Sequence, residues 1–308
     1  MEKRNRVIAL GFFDGVHKGH GALLRRTAQR AEELGAIPTA FTFDAHPTQV
    51  ILGQDASLLT TPSERADLMR RLYGIQDVVV ARFDDRMMRM DWRDFVIDLL
   101  VKQQGAVHLV AGHDYRFGYR GEGTPERLTS LCAELGIGCD IVPPVEVDGI
   151  RISSSYVRTL VAQGEVERAM DFLGHPHTLT DQVRHGKRIG TRLGFPTMNL
   201  QFPAGSVVPA FGVYATRVWV DDKSYIAATN VGIRPTVEDD RPVTVEGSLV
   251  DFSGDLYGKT VRMEFYRLIR PEQKFASLDD LRSQISRDVQ AVCEYFRTID
   301  PAQLDPSL

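Results

Sequence analysis

Residues 7–43 have the sequence VIALGFFDGVHKGHGALLRRTAQRAEELGAIPTAFTF, in which two kinds of hydrophobic pattern alternate. The apolar run Val7–Leu10 predicts a short buried strand. Apolar side chains then recur every three or four residues from about Gly19 to Leu34, which predicts a helix that ends at Gly35. Pro38–Phe43 predicts a second strand. A strand, a helix and a strand in this order indicate a βαβ unit, whose two strands are parallel.

The same alternation continues to about residue 142. Further strands are predicted at 77–83, 107–111 and 139–142, and further helices at 63–73, 92–102 and 128–135. Strands that alternate with helices of this length are typical of an α/β domain built on a Rossmann-like parallel sheet. Two short helices, at 154–160 and 165–173, are predicted to follow.

The hydrophobic period changes from helical to two residues near position 175. Strands are predicted at 212–220, 224–230, 243–251 and 260–268, with Val261, Met263 and Phe265 on one face. Such a series indicates a small antiparallel β-barrel. Ser277 is a predicted N-cap, and a last helix follows with one apolar stripe from Leu278 to Phe296. We therefore expect two domains, residues 1–174 and 175–308.

Composition narrows the class of protein. The net charge of the 308 residues is −4, which argues against nucleic acid as a partner. The three cysteines form no CxxC pair, which argues against a disulfide framework or a structural zinc site and favours the reducing cytoplasm. The sequence contains no apolar run long enough for a membrane span, and its start lacks the features of a signal peptide. The oligomeric state stays open.

The loop GFFDGVHKGH, residues 11–20, joins the first strand to the first helix. In an α/β sheet, ligands bind at the carboxyl ends of the strands. Glycines let the main chain approach a ligand closely, and the first turn of a helix offers free N–H groups to phosphate. His17 and His20 can donate hydrogen bonds to phosphoryl oxygens on which charge develops during group transfer. The alternative is that both histidines only cap the helix.

Three more segments of the first half carry polar groups at strand ends or at a helix start. RISSSYVR, residues 151–158, combines hydroxyls and guanidinium groups that suit a polyphosphate, or is a plain serine cap beside solvated arginines. GHDYRFGYRGEG, residues 112–123, offers aromatic rings that could stack on a planar ligand, or is an aromatic surface loop. In TFDAHP, residues 42–47, Asp44 and His46 are either site groups or turn residues.

The second half contains its own candidate site. HGKRIGTRLGFPTMN, residues 185–199, combines glycines with basic side chains and can surround phosphates, or is an ordinary basic hairpin. Thr197 and Asn199 point to the same side if this segment is extended, and their neutral oxygens suit a Mg²⁺ ion that already has phosphate ligands. Glu246 could accept the proton of a substrate hydroxyl, or it faces solvent on its strand.

Taken together, these motifs resemble the bacterial bifunctional riboflavin kinase/FAD synthetase family along nearly the whole chain. The matching stretches, in order, are GFFDGVHKGH, TFDAHP, GHDYRFG, RISSSYVR, LGFPTMN, NVGIRPT and TVEGSLVDFSGDLYG. The resemblance implies a nucleotidyltransferase-like FMN adenylyltransferase domain followed by a riboflavin kinase barrel. Riboflavin would be phosphorylated with ATP to FMN, and FMN would then be adenylylated with a second ATP to FAD and pyrophosphate.

The resemblance also implies roles for individual residues. His17 and His20 would act on the ATP phosphates, Glu246 would be the catalytic base, and Thr197 and Asn199 would bind Mg²⁺. Arg151, Ser154, Ser155 and Arg158 would hold the leaving phosphates, and Asp114, Arg116 and Phe117 would lie near flavin and nucleotide. The remaining expected ligand-binding residues are Gly11, Phe13, Asp14, Gly15, Gly19, Asp44, His46, Gly186, Gly190, Arg192, Gly194, Phe195, Pro196 and Asn230.

The sequence departs from the family pattern at a few positions. Phe12 stands where the family often has asparagine, Met198 replaces the alanine of the PTAN motif, and Gly247-Ser248 replaces Val-His. These departures leave two alternatives open: a chain that retains only one of the two activities, and a flavin- or nucleotide-binding sensor without catalysis.

Overall fold

The computed structural model describes residues 5–53, 57–185, 197–233 and 243–299. The chain forms two compact units, which divide after Ser154. This division lies before the change of hydrophobic period near residue 175, because the intervening helices belong to the second unit. Among the described residues, no helix combines the length and the apolar character that a membrane crossing needs.

A five-stranded parallel sheet forms the centre of the first unit. Its strands are β1 (Arg6–Leu10), β2 (Ile37–Phe43), β3 (Asp77–Ala81), β4 (Ala106–Gly112) and β5 (Gly138–Val142). Their order in the sheet is β3-β2-β1-β4-β5, and every neighbouring pair is parallel. The predicted Rossmann-like sheet is confirmed. The strand order reverses between β1 and β4, and ligands bind at such a point in doubly wound sheets.

Helices pack against the sheet, and their caps come from the local sequence. The helices are α1 (Lys18–Leu34), α2 (Pro47–Leu52), α3 (Pro62–Tyr73), α4 (Asp85–Met88), α5 (Trp92–Asp94) and α6 (Pro125–Leu135). α1 ends at Gly35, whose left-handed conformation (φ 57°) lets its N–H bond the carbonyls of the last turn. The helix predicted over 92–102 is present, but from Phe95 to Gln103 it is a π-helix.

Alternate side chains of β1 enter two separate cores. Ile8 and Leu10 pack on one side of the sheet, and Val7 and Ala9 pack on the other. All four are 0–1% exposed, so the first strand is the buried centre of the unit. A short hairpin of β6 (Glu146–Val147) and β7 (Ile150–Arg151) follows the last strand of the sheet.

The second unit contains a six-stranded antiparallel sheet that curls into a barrel. Two helices precede the sheet in the chain, α7 (Ser154–Ala162) and α8 (Val166–Leu173), and helix α9 (Leu278–Thr298) follows it. The strands of the sheet are β8 (His177–Gln182), β9 (Thr197–Leu200), β10 (Gly212–Val220), β11 (Lys223–Ile233), β12 (Val243–Leu249) and β13 (Thr260–Pro271). The strand order is β8-β13-β10-β11-β12-β9. The two outer strands meet where Arg184 donates its N–H to the carbonyl of Asn199 at 2.9 Å. The predicted small barrel is thereby confirmed.

The barrel interior is apolar, as the two-residue period predicts. Val261, Met263 and Phe265 are 0–1% exposed and lie in one cluster with Val166 of α8. Packing of α8 into this cluster explains why the second unit begins before residue 175. Helix α9 begins after Ser277, whose hydroxyl accepts the N–H of Asp280 as predicted. Leu278, the first member of the predicted stripe, is 65% exposed, so the buried stripe begins later in the helix.

Candidate functional site

The loop after β1 has an unusual backbone. Phe13, Gly15 and Val16 all have positive φ angles, of 59°, 75° and 42°. Such angles are costly for phenylalanine and more so for the β-branched valine, and conformations of this kind occur where the surrounding structure enforces them. His17, which follows, is the N-cap of α1, and its side chain accepts the N–H of His20 at 3.2 Å.

The two histidines of the loop are stacked on each other. Their ring centroids are 3.6 Å apart and their planes differ by 10°. Nδ1 of His17 accepts this hydrogen bond, so a neutral His17 ring carries its proton on Nε2. Burial, together with the nearby His17, lowers the pKa of His20 well below its ordinary value, which favours the neutral form of that ring. A Cβ on Gly19 would lie 3.1 Å from the His17 ring, which explains the glycine between the histidines.

A cavity of about 610 Å³ opens beside these histidines. Its walls come from the ends of β1, β4 and β5 and from the segment before α7. The lining side chains and glycines include Gly11, Phe12, Phe13, His17, Gly19, His20, Gly112, His113, Asp114, Tyr115, Arg151, Ile152, Ser153 and Ser154. The volume is within the usual range for a small-molecule site. The structure thus brings together residues of three predicted motifs at the point where strand order reverses.

Arg151 forms a polar cluster on the cavity wall. Its Nη2 donates to Oδ2 of Asp114 at 2.6 Å and lies 2.7 Å from Nε2 of His113. The guanidinium and the carboxylate are both more than half exposed, so the pair adds little to stability and remains accessible to a ligand. The hairpin of β6 and β7, whose turn contains Asp148 and Gly149 at φ 51° and 73°, places Arg151 there. His113 was not predicted, although it lies inside the GHDYRFG motif.

Several residues expected to bind a ligand instead form hydrogen bonds within the protein, most of them with main-chain groups. Oδ1 of Asp14 accepts the N–H groups of Leu59 and Thr60, and Gly15 donates to the Thr60 hydroxyl. Asp14 is only 2% exposed, so its carboxylate is turned away from the cavity. Ser154, which lines the cavity, donates its hydroxyl to the carbonyl of Asp14 at 3.0 Å.

Residues predicted from the motifs TFDAHP and GHDYRFG also bond or pack within the protein instead of facing the cavity. Oδ1 of Asp44 accepts the N–H of Phe83, and His46 caps α2 by accepting the N–H of Thr48. Phe117 is 6% exposed and packs in the core. None of these three side chains lines the cavity, and neither does the exposed Arg116. Their predicted ligand contacts are therefore absent from the described cavity wall.

Ser155 and Arg158 lie on α7, in the second unit. Nη2 of Arg158 donates to the Ser155 hydroxyl at 3.0 Å. The predicted glycine-rich residues Gly186, Gly190, Arg192, Gly194, Phe195 and Pro196 fall outside the described residues.

A second group of polar residues forms two rows across the barrel surface. Asn230, Glu246 and Asn199 are directly opposite one another on β11, β12 and β9. Thr197 and Ser248 form the next row on the same side, because residues two apart share a face of a sheet. Met198 and Gly247 lie between the rows and face the barrel interior. The predicted base and the predicted metal ligands are therefore neighbours on one surface.

Two cavities meet at this surface. One, of about 330 Å³, is lined by Asn230, Glu246, Ser248, Thr197 and parts of α9. The other, of about 460 Å³, is lined by Thr197, Met198, Phe252, Tyr257 and their neighbours. Thr197 lines both cavities, so they adjoin at this residue.

An ion pair forms part of the wall of the smaller cavity. Nε and Nη2 of Arg270 donate to the two carboxylate oxygens of Asp288 at 2.9 and 2.8 Å. Gln284 donates to the same carboxylate at 2.9 Å. This bidentate pair joins β13 to α9, and the Asp288 side chain is only 5% exposed. Neither residue was predicted, because a single arginine and a single aspartate far apart in sequence carry no local signal.

The donor set around Thr197 suits magnesium held jointly with a nucleotide. A hydroxyl and an amide oxygen on one face of β9 are hard neutral donors, and Mg²⁺ commonly keeps phosphate oxygens and waters as its other ligands. Among the described residues, no group of three or more histidine, cysteine or carboxylate side chains could hold a metal ion by itself.

Comparisons with known proteins match the two units separately. A family model described as FAD synthetase matches residues 1–156, and one described as riboflavin kinase matches residues 173–296. The bifunctional riboflavin kinase/FMN adenylyltransferase of Listeria monocytogenes is 33% identical over 300 residues, which cover 96% of this chain and 94% of the relative. That of Escherichia coli is 35% identical over 298 residues, with coverage of 96% and 94%.

A solved structure from Streptococcus pneumoniae, described as a macrolide-efflux protein, has a TM-score of 0.84 at 29% identity. The match covers 97% of this chain and 96% of that one. The whole two-unit architecture therefore has a known counterpart.

The two family models, one on each half of the chain, together with the full-length relatives, define a transferase with two activities. The chain belongs to the bifunctional riboflavin kinase/FMN adenylyltransferase family. It phosphorylates riboflavin to FMN with ATP, and it adenylylates FMN with ATP to give FAD and pyrophosphate. The predicted function, with both activities, is confirmed.

Proposed function

We propose that each reaction has its own site, with FMN adenylylation in residues 1–174 and riboflavin phosphorylation in residues 175–308. The observation that carries this proposal is that each predicted catalytic set lines a cavity of its own unit. His17 and His20 line the cavity at the end of β1, and Glu246 lines the smaller cavity of the barrel. The free thiols of all three cysteines support the cytoplasm as the place of action.

In the first site, a phosphate oxygen of FMN attacks the α-phosphorus of ATP. The bond from that phosphorus to the bridging oxygen breaks, and pyrophosphate leaves. The Nε2–H of His17, and the neutral ring of His20 beside it, donate hydrogen bonds to the phosphoryl oxygens on which negative charge grows. Arg151 exchanges the Asp114 carboxylate for the leaving phosphates, with Ser154 of the same cavity wall as a further donor.

In the second site, Glu246 accepts the proton of the riboflavin 5′-hydroxyl, whose oxygen attacks the γ-phosphorus of ATP, and ADP leaves. Riboflavin occupies the cavity that Glu246 lines, and ATP occupies the cavity of Phe252 and Tyr257. Thr197 lies where the two cavities meet, so the γ-phosphate is transferred beside it. Mg²⁺ bound by Thr197 and Asn199 would neutralise the polyphosphate charge.

The assignment of sites is tested by separating the products formed from riboflavin, and from FMN, with MgATP. The Glu246→Gln variant is expected to lose FMN formation and to keep FAD formation from supplied FMN. The His17→Ala variant is expected to show the reverse. Loss of both activities in either variant, with folding intact, would contradict separate sites.

A further inference from the structure

Arg65 is a buried cation beneath the loop that carries the two histidines. It lies in the first turn of α3, is 0% exposed and has no ion pair with any described residue. Its Nη1 makes every hydrogen bond of the side chain, while Nε and Nη2 have no partner among the described residues. Burial lowers the pKa of Arg65 to about 10, against the opposing effect of Asp14. A buried charge paired so poorly is costly, so its presence calls for an explanation.

The three bonds of Nη1 connect two strand ends next to the cavity. Nη1 donates to the carbonyl of Phe12 at 2.8 Å, to the Thr42 hydroxyl at 2.9 Å and to the carbonyl of Phe43 at 3.1 Å. Thr42 in turn donates its hydroxyl to the same Phe12 carbonyl at 2.8 Å. The Phe12 carbonyl oxygen therefore accepts two hydrogen bonds, one from Arg65 and one from Thr42. These bonds connect the loop after β1 to the end of β2.

This carbonyl belongs to the peptide that precedes the left-handed Phe13. The φ angle of Phe13 is 59°, a left-handed conformation that is strained for a residue with a side chain. Two donors on the Phe12 carbonyl fix the orientation of the peptide between Phe12 and Phe13, so they oppose the flip that would relieve this strain. The ring of Phe13 then packs edge-to-face against His20, with centroids 5.3 Å apart.

The Phe12 ring separates Arg65 from the cavity. It lines the cavity and covers the guanidinium, whose carbon is 4.1 Å from the ring centroid. It also contacts the ring of His46 edge-to-face at 4.6 Å. Arg65 itself does not line the cavity, so it makes no direct contact with a ligand there.

We propose that Arg65 is a positioning residue for FMN adenylylation, which holds the Phe12 carbonyl so that Phe13 and His20 keep their places at the phosphates. This inference rests on the proposed assignment of adenylylation to the histidine cavity. It extends that assignment to a side chain that does not touch the substrate. Arg65 is expected to affect the transition state, where the histidine donors act, more than the binding of ATP.

The test compares Arg65→Lys and Thr42→Val with the control Arg71→Lys in the full chain. Lysine keeps the charge but cannot reproduce the planar guanidinium that bonds three oxygens. Valine keeps the shape of Thr42 and removes the second donor to Phe12. Arg71 lies on the same helix, where its ion pair with the exposed Asp67 can be kept by lysine. For each variant, kcat and KM are measured for FMN adenylylation and for riboflavin phosphorylation. Thermal unfolding is measured separately as a check on folding.

For Arg65→Lys we expect the kcat of adenylylation to fall at least about tenfold, with the KM for ATP changed less than about threefold. Thr42→Val is expected to lower the same kcat by roughly threefold or more, since it loses one of the two donors. Riboflavin phosphorylation should be unchanged in both, and Arg71→Lys should match the parent in every measurement.

The inference is overturned if Thr42→Val keeps its kcat within about twofold of the parent, or if folded Arg65→Lys does so. It is equally overturned if lost activity only follows the lost fraction of folded protein, or if KM rises while kcat is kept. Thr42→Val decides the matter if Arg65→Lys does not fold. The His17→Ala variant separates the two proposals: if it keeps adenylylation, the assignment of the site fails, whatever Arg65 does.

Discussion

Replacing Gly247 with alanine should destabilise the barrel, and the same replacement should cost much less in a variant in which Met198 is already alanine. Met198 is 3% exposed and lies directly opposite Gly247 across the β9–β12 pair. A Cβ on residue 247 would be 2.7 Å from Cε of Met198, and 3.2 Å from both Cε of Met263 and the Thr229 hydroxyl. The long Met198 side chain thus fills the space that a side chain at position 247 would need. We therefore expect that Met198 and Gly247 depend on each other for a well-packed barrel.

The size of the effect follows from packing. An added methyl group in a filled core costs about 1–3 kcal/mol, because neighbouring side chains must leave their preferred rotamers. Truncation of a buried methionine to alanine costs about 2–5 kcal/mol. In the double variant the new methyl group enters the space that the methionine has left. We therefore expect the double variant to be about 2 kcal/mol more stable than the sum of the single changes.

The two tryptophans of the chain permit an assay of the barrel alone. Trp92 lies in the first unit and Trp219 in β10 of the second. In a Trp92→Phe background, the fluorescence of Trp219 follows urea unfolding of the barrel, from which the free energy of unfolding is obtained. Val218→Ala, at a fully buried position on β10, serves as the control partner of Gly247→Ala.

Two outcomes would contradict this reasoning. The first is that the free-energy changes of Met198→Ala and Gly247→Ala add within about 0.5 kcal/mol in the double variant. The second is that Val218→Ala and Gly247→Ala deviate from additivity as strongly as the Met198 pair does. That result would indicate a general response of the core rather than direct contact. Riboflavin phosphorylation by the double variant adds a functional readout, because Met198 lies between the predicted metal ligands.

Three further changes test the sites and the barrel. Glu246→Gln should lower riboflavin phosphorylation by about 10²-fold or more, as loss of a general base does, and a smaller loss in a product assay would argue for another base. His17→Ala should lower FMN adenylylation by roughly 10²-fold, and near-parental kcat would refute its role as a transition-state donor. Burial and the neighbouring His175 lower the pKa of His177 to about 3, so only the unfolded chain binds its proton between that pH and about 6.5. The free energy of unfolding should therefore fall by about 2 kcal/mol from pH 7 to pH 5. The fall should be smaller in His177→Phe, and equal falls in urea titrations would exclude this cause.

Local patterns were sufficient to predict most of the architecture. The five strands of the parallel sheet, the four long strands of the barrel and the caps at Gly35 and Ser277 follow from residues close together in sequence, whereas β6, β7 and β8 were not predicted. The β9–β12 register that places Asn199 opposite Glu246 could not be derived from sequence, because the two paired residues are 47 positions apart in the chain. Motif resemblance nevertheless led to both residues.

By itself the sequence determined two folds, their order and the two motif sets that carry the chemistry, because hydrophobic period and motif spacing are properties of contiguous residues. Only the tertiary structure decided which motif residues face a cavity. The Asp14 carboxylate bonds main-chain groups 45 and 46 residues away, and Arg65 bonds a carbonyl 53 residues away. A buried polar side chain must satisfy whichever groups surround it in the folded chain, and these groups are brought together only when the strands assemble.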